Sequence, residues 1–142
     1  MNEAIPDKSP FTKPDIYKEM GEFVRVGKEF GLDAGVLMYL AKQNGKLVTL
    51  NEGLLSRLEN TDLHDIEEGD WETVASKSKQ ARRDYISVKK DFGAGEVKAP
   101  IIFDAGDRLH LVSGNTRLMV SRALGVRPQF YIFRLDSNED ET

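Results

Sequence analysis

The stretch 108-RLHLVSGNTRLMVSRALGVRPQFYIF-133 decides the fold. It begins as an alternating strand in which Leu109 and Leu111 share one face and Arg108 and His110 the other. Gly114 then turns the chain, a helix runs from about Asn115 to Leu124, and Gly125 stops it. A further strand, 128-PQFYIFRL-135, closes the sheet. A strand that turns abruptly into a helix presents unpaired N–H groups and the positive end of the helix dipole. Anions bind such ends. Asn115 and Thr116 add an amide and a hydroxyl, and Arg117 adds a fixed cationic fork. The turn 113-SGNTR-117 is therefore a candidate phosphate cradle. The plainer alternative stays open: Ser113 or Asn115 merely caps the helix, worth ~1 kcal/mol. The Gly-x-x-x-x-Gly-Lys pattern of a Walker loop is absent.

Upstream, 99-APIIFD-104 reads as a strand and Ala105-Gly106-Asp107 as the hairpin turn that joins it to the next. The longest helix is predicted to start after Asp70, a suitable N-cap. Trp71, Val74, Ser78, Ala81, Tyr85, Val88 and Phe92 recur at spacings of three and four, one inward stripe ended by Gly93 and Gly95. Off that stripe sit Lys77, Lys79, Arg82, Arg83, Lys89 and Lys90, with Asp84 the one acid among them. They form a candidate nucleic-acid-binding face, or else an ordinary solvated one.

Earlier still, 46-KLVTL-50 reads as a short strand, and Asn51 caps a short helix carrying Leu54, Leu55 and Leu58. The acidic loop 60-NTDLHDIEEGD-70 follows, with a short extended piece at Leu63 to Ile66. Pro14 suits the first turn of a helix whose stripe is Ile16, Met20, Phe23, Val24 and Phe30. Gly31 ends that helix, Asp33 caps the next, and 34-AGVLMYLAKQN-44 stops at Gly45. A groove-reading helix needs a polar side. Val36-Leu37-Met38-Tyr39-Leu40 is nearly continuous core instead, so this pair packs or docks a partner. The fold class is α+β: a flexible arm at 1–13, a helical extension at 14–44, a compact domain at 45–135 and an acidic tail at 136–142.

Composition limits the chemistry. The chain has 142 residues, 39% hydrophobic and 31% charged, enough for one real core. It has no cysteine, which removes disulfides, thiolate zinc sites and thiol nucleophiles together. No apolar run approaches the ~20 residues of a membrane span. The first residues lack the basic and apolar regions of a signal peptide, so the chain reads as cytoplasmic. Net charge is −4 but unevenly spread. Residues 1–70 hold 14 acids and 8 bases, residues 71–135 hold 6 acids and 12 bases, and 136–142 hold four acids. The second half is suited to attracting phosphate, or else carries ordinary solvated charge; the overall charge argues against a simple nucleic-acid coat.

The run 85–133 resembles the ParB/sulfiredoxin-like family. The resemblance is carried, in order, by Ser87-Val88, Pro100-Ile101-Ile102, Gly114-Asn115-Thr116-Arg117 and Ala123-Leu124-Gly125. It covers roughly 50 residues well and residues 46–135 loosely. It implies a nucleotide-binding fold that takes ATP or CTP with magnesium and acts in DNA transactions, similar to small free-standing members of phages and mobile elements. By position, Gly114, Asn115, Thr116 and Arg117 would hold phosphates and Ser87 would add a hydroxyl from the long helix. The departures are informative. Sulfiredoxins carry Gly-Cys-His-Arg at this turn, and a chain without cysteine cannot do their chemistry. ParB proteins carry Gly-Glu-Arg-Arg, so Asn115 replaces a carboxylate and Thr116 an arginine, which weakens metal-assisted hydrolysis. The downstream DNA-reading domain of a full ParB has no counterpart.

A replacement carboxylate would come from Glu59, Asp62, Asp65, Glu67, Glu68 or Asp70, with Asp62 and Glu67 the first choices. The alternative is a solvated acidic loop. His64 and His110 lack a metal-ligand spacing, and no metal site is expected. Three functions compete: a nucleotide-phosphate-binding module, a phosphotransferase or nucleotide hydrolase using the same pocket, and a protein-interaction regulator or inhibitor that docks a partner through residues 14–44.

Overall fold

Alternation along the strands sets the architecture, and both faces of the sheet turn out to be covered. The computed structural model describes residues 9–61, 64, 68–74 and 85–135. In chain order these give β1 (Phe11–Thr12), a 3-10 turn (Ile16–Glu19), α1 (Met20–Phe30), α2 (Ala34–Asn44), β2 (Lys46–Thr49), α3 (Glu52–Leu55) and β3 (Leu58–Glu59). They continue with α4 (Tyr85–Ala94), β4 (Val97–Lys98), β5 (Ile101–Asp104), β6 (Leu109–Ser113), α5 (Asn115–Leu124) and β7 (Gln129–Arg134). Residues 71–74 are also helical. The class is mixed α+β.

Five strands form the main sheet in the order β2-β7-β5-β6-β3. β2 lies antiparallel to β7 and β6 antiparallel to β5, while β5–β7 and β3–β6 are parallel. The last strand therefore does not close an edge. It lies between β2 and β5, which accounts for its hydrophobic run Phe130-Tyr131-Ile132-Phe133. Ile101, Phe103, Val112, Tyr131 and Phe133 face α1 and α2 and pack on Phe23, Val26, Leu37 and Ala41. Ile102, Leu109, Leu111 and Phe130 face the other way, onto Leu55, Leu58 and Leu118. A third cluster of Val74, Met119, Val120 and Ala123 joins α5 to Trp71, Val88 and Phe92.

Several expectations change. The helical pair at 14–44 is not an appendage to a separate 45–135 domain. It supplies one whole layer of the core, and the Tyr131 hydroxyl donates to the Ala41 carbonyl at 2.7 Å in the interior. The arm drawn at 1–13 is anchored at its end. Phe11–Thr12 pair with Val97–Lys98 in a separate two-stranded parallel ribbon, and Phe11 is buried edge-on against Phe92. Met20 and Val24 are exposed, although the helical stripe placed them inward. The turn at Ile16–Glu19 is 3-10, with three residues per turn, so it shifts the phase of the helix that follows and brings Val26 inward instead. Along α2 only Leu37, Met38 and Ala41 are buried; Val36 and Tyr39 face out, because a helix lying on one sheet buries one face. Leu58 belongs to β3 rather than to the helix capped by Asn51. Arg108 and His110 do share a side, where both reach Glu59, and every residue of β6 from Leu109 to Ser113 is buried.

Other readings hold. Asp33 and Asn51 cap α2 and α3 through Val36 and Leu54. Asp70 accepts from the Thr73 N–H and hydroxyl at the start of residues 71–74, and those bonds lower its carboxyl pKa. Gly31 and Gly125 end α1 and α5 in the left-handed conformation. Residues 71–74 and Tyr85–Ala94 are helical, at the two ends of the stretch where one long helix is expected. The intervening stretch lies outside the described residues, with Lys77, Lys79, Arg82 and Arg83. So do Asp62, Asp65, Glu67, the extended piece expected at 63–66, and the tail 136–142. Among the described residues, no helix is long and apolar enough to cross a membrane.

Candidate functional site

Gly114 ends β6 and starts α5 with φ 103° and ψ 19°, a left-handed geometry that favours glycine. A Cβ there would lie 2.7 Å from both Cα and Cβ of Pro100. Two independent constraints, torsion and close approach, thus fix this residue type. With no side chain at the cap, the opening turn of α5 faces an open cleft of about 1030 Å³.

The cleft gathers the five residues singled out in the sequence as the phosphate site. Gly114, Asn115, Thr116 and Arg117 line it from the helix start, and Ser87 lines it from α4. Asn60 and Thr61, just after β3, and Glu22 and Arg25, from α1, complete the walls. None of these last four was picked out as a site residue. Asn60 stands in the left-handed region at φ 67°, which asparagine tolerates, and its amide donates to the Leu111 carbonyl at 2.9 Å. Thr61 donates its hydroxyl to Asn115 Oδ1 at 2.7 Å, so the Asn115 amide is oriented by the loop that faces it.

Arg117 does not project freely into the cleft. Its Nη1 donates to the Lys98 carbonyl at 2.8 Å, and its Nη2 lies 3.4 Å from Ser113 Oγ and 3.6 Å from Glu19 Oε2. Burial pushes the Arg117 guanidinium below its ordinary pKa, while the Glu19 carboxylate pulls it back up. The Ser113 hydroxyl donates to Glu19 Oε1 at 2.6 Å. Arg25 is likewise engaged. Its Nε pairs with Glu22 at 3.0 Å, and its Nη2 donates to the carbonyls of Leu111 and Val112 at 3.3 and 3.0 Å.

Behind this wall lies a charged network on β3 and β6. Arg25 Nη1 meets His110 Nε2 at 3.3 Å, and His110 Nδ1 meets Glu59 Oε2 at 2.5 Å. A guanidinium can only donate, so Nε2 is the acceptor and the proton lies on Nδ1, directed at Glu59. Arg108 grips both Glu59 and Glu29, at 2.5 and 2.9 Å, and stacks over Phe30. Arg108 holds the Glu59 carboxyl below its usual range despite partial burial, and the two carboxylates push the Arg108 guanidinium up. His110 is thus a buried residue with partners on both nitrogens. His64 is exposed and hydrogen-bonds the Leu58 carbonyl at 2.9 Å. No cluster of three or more metal-ligating side chains occurs among the described residues. Of the candidate acids, Glu59 is committed to Arg108 and His110, Asp70 to its cap, and Glu68 is exposed.

The basic face is described at two positions. Lys89 and Lys90 are exposed on α4, and Lys89 Nζ stands 4.5 Å over the Trp71 ring. Sequence reasoning missed Glu19, Glu22, Arg25, Asn60 and Thr61 because no local pattern links them to the turn; Glu19 and Ser113 are 94 residues apart. The one signal within reach was the Glu22–Arg25 spacing of three on a helix.

No protein-family model matches the chain, and neither a curated protein nor a solved structure matches it.

Proposed function

We propose that the chain is a nucleotide-phosphate-binding module of ParB/sulfiredoxin-like type that acts in DNA transactions, with the cleft at the start of α5 as its ligand site. The carrying observation is convergence: the Gly114 turn, the Ser87 hydroxyl and the Asn60–Thr61 loop, from three separate parts of the chain, line one open cleft. N–H groups at a helix start favour phosphate, and a hydroxyl supplies a further donor. The volume of about 1030 Å³ admits a nucleotide. The motif order from Ser87 to Gly125 supports the family reading. Magnesium would ride on the phosphates, because among the described residues the lining offers one carboxylate, Glu22, already paired with Arg25. Lys89 and Lys90 on the same helix as Ser87 suit a phosphate backbone passing close to the cleft.

A thermal-shift series with ATP, CTP, GTP and UTP, each with and without magnesium, tests the reading. A ligand at about 100 times its Kd stabilises the folded state by roughly 2.7 kcal/mol, a rise of several degrees in Tm. Ser87→Ala, at an exposed position, should keep the unliganded Tm and reduce that rise. No shift with any nucleotide at millimolar concentration would remove the ligand site from the reading.

A second reading, a protein-docking role for residues 14–44, draws on Tyr17, Met20, Val24, Val36 and Tyr39, large apolar side chains exposed along the helical layer.

A further inference from the structure

The Glu19–Ser113–Arg117 contact has features of an exchangeable latch. Glu19 is the residue that precedes α1, yet its side chain makes no capping hydrogen bond to that helix. It reaches across to the cleft wall instead, where Oε1 takes the Ser113 hydroxyl at 2.6 Å and Oε2 faces Arg117 Nη2 at 3.6 Å. The second distance exceeds the 2.7–2.9 Å of a charge-assisted hydrogen bond. Arg117 is held in place by its other nitrogen, which donates to the Lys98 carbonyl, so its fork stays fixed whether or not Glu19 is present. Phosphate oxygens make the same demands on a hydroxyl and a guanidinium as a carboxylate does. A carboxylate released from Ser113 would also have a second favourable place, at the positive end of α1.

Resting on the reading of the cleft as a phosphate site, we propose that Glu19 is a built-in competitor: its carboxylate occupies Ser113 and Arg117, and a ligand phosphate enters by displacing it. Occupancy of the cleft is thereby coupled to the N-terminal layer, since Glu19 joins the 3-10 turn to α1. No covalent chemistry is involved, and one anion replaces another.

Calorimetric binding of ATP, CTP and tripolyphosphate, with magnesium at fixed ionic strength, to wild type, Glu19→Gln and Glu22→Gln tests this. Glu19→Gln keeps a hydrogen-bond acceptor for Ser113 and loses the charge. It should bind each probe about three- to fivefold tighter, the worth of a part-exposed ion pair. Glu22→Gln makes the same charge change in the cleft without touching Ser113 or Arg117, and should tighten binding clearly less. Equal tightening by both variants would reduce the effect to net charge and overturn the latch. Binding by wild type that Glu19→Gln leaves unchanged would overturn the latch while the phosphate site stands. Absence of binding by all three proteins would overturn both. If Glu19→Gln fails to fold, Glu19→Asp, a carboxylate one methylene shorter, takes its place with the same expected tightening.

Discussion

Gly114 is the residue at which the fold and the candidate site depend on one torsion. Adding a methyl group demands a left-handed alanine and a 2.7 Å contact with Pro100. Strain of this kind and overpacking each cost of order 1–3 kcal/mol. Gly114→Ala should therefore lose about 2–4 kcal/mol in urea unfolding; a loss below ~0.5 kcal/mol would mean the turn relaxes easily. Arg117→Ala should also destabilise, by about 2 kcal/mol, because it strips a donor from the Lys98 carbonyl and leaves Glu19 without its cation. A loss of binding in that variant is thus no clean test of the cleft, and Ser87→Ala is the better probe. Glu59 carries a pH prediction. Its folded pKa lies below its unfolded value, chiefly through the Arg108 hydrogen bond. The carboxylate therefore stabilises the fold above its unfolded pKa, near 4.3, and that contribution fades as pH falls through the folded value. Glu59→Gln should flatten the acid limb of stability against pH between about pH 5 and pH 3; an unchanged limb would contradict the pairing. At this scale Gly114, Asp33, Asn51 and Asp70 were legible, since caps and left-handed turns are local. Glu19 and Arg25 were not, because their partners lie on β6 and α5.

At the scale of elements, the short ribbon of β1 and β4 changes the reading of the N-terminus. The proline-rich start read as a free arm, yet Phe11 is buried to 4% exposure and the Pro10 and Thr12 carbonyls accept from Val97 and Ala99. Truncating a buried aromatic costs 3–5 kcal/mol in a well-packed core. Phe11→Ala should accordingly cost about 3 kcal/mol in chemical denaturation, whereas a free arm would lose nothing. Most helices and strands were legible: the 34–44 and 115–124 helices and the strands near 46–49, 101–104 and 129–134 follow from periodicity and glycine stops. The facing of α1 was not. One 3-10 turn shifts a helix's phase, and no local pattern announces that change.

For the molecule as a whole, charge separation frames the DNA question. The acidic first half and basic second half meet across one core, so any phosphate backbone should approach from the side of α4. Binding of duplex DNA should weaken steeply with salt. Replacing Lys89 and Lys90 together by glutamine should lower the slope of log K against log salt by about 1.8, for two phosphate contacts at ~0.9 each. A slope that does not move would take α4 out of the DNA-binding face. The sequence by itself determined the α+β class, the strand–Gly–helix turn and the helix stops, because those follow from side-chain period and backbone torsion within a few residues. Only the tertiary structure decided the strand order β2-β7-β5-β6-β3, the helical pair as a core layer, and the company that Arg117 keeps. Those depend on which surfaces exclude water together and which polar groups find partners 54 to 94 residues away, as Thr61 does with Asn115 and Glu19 with Ser113. Burial and pairing energies are set by proximity in space, and a local pattern carries no record of it.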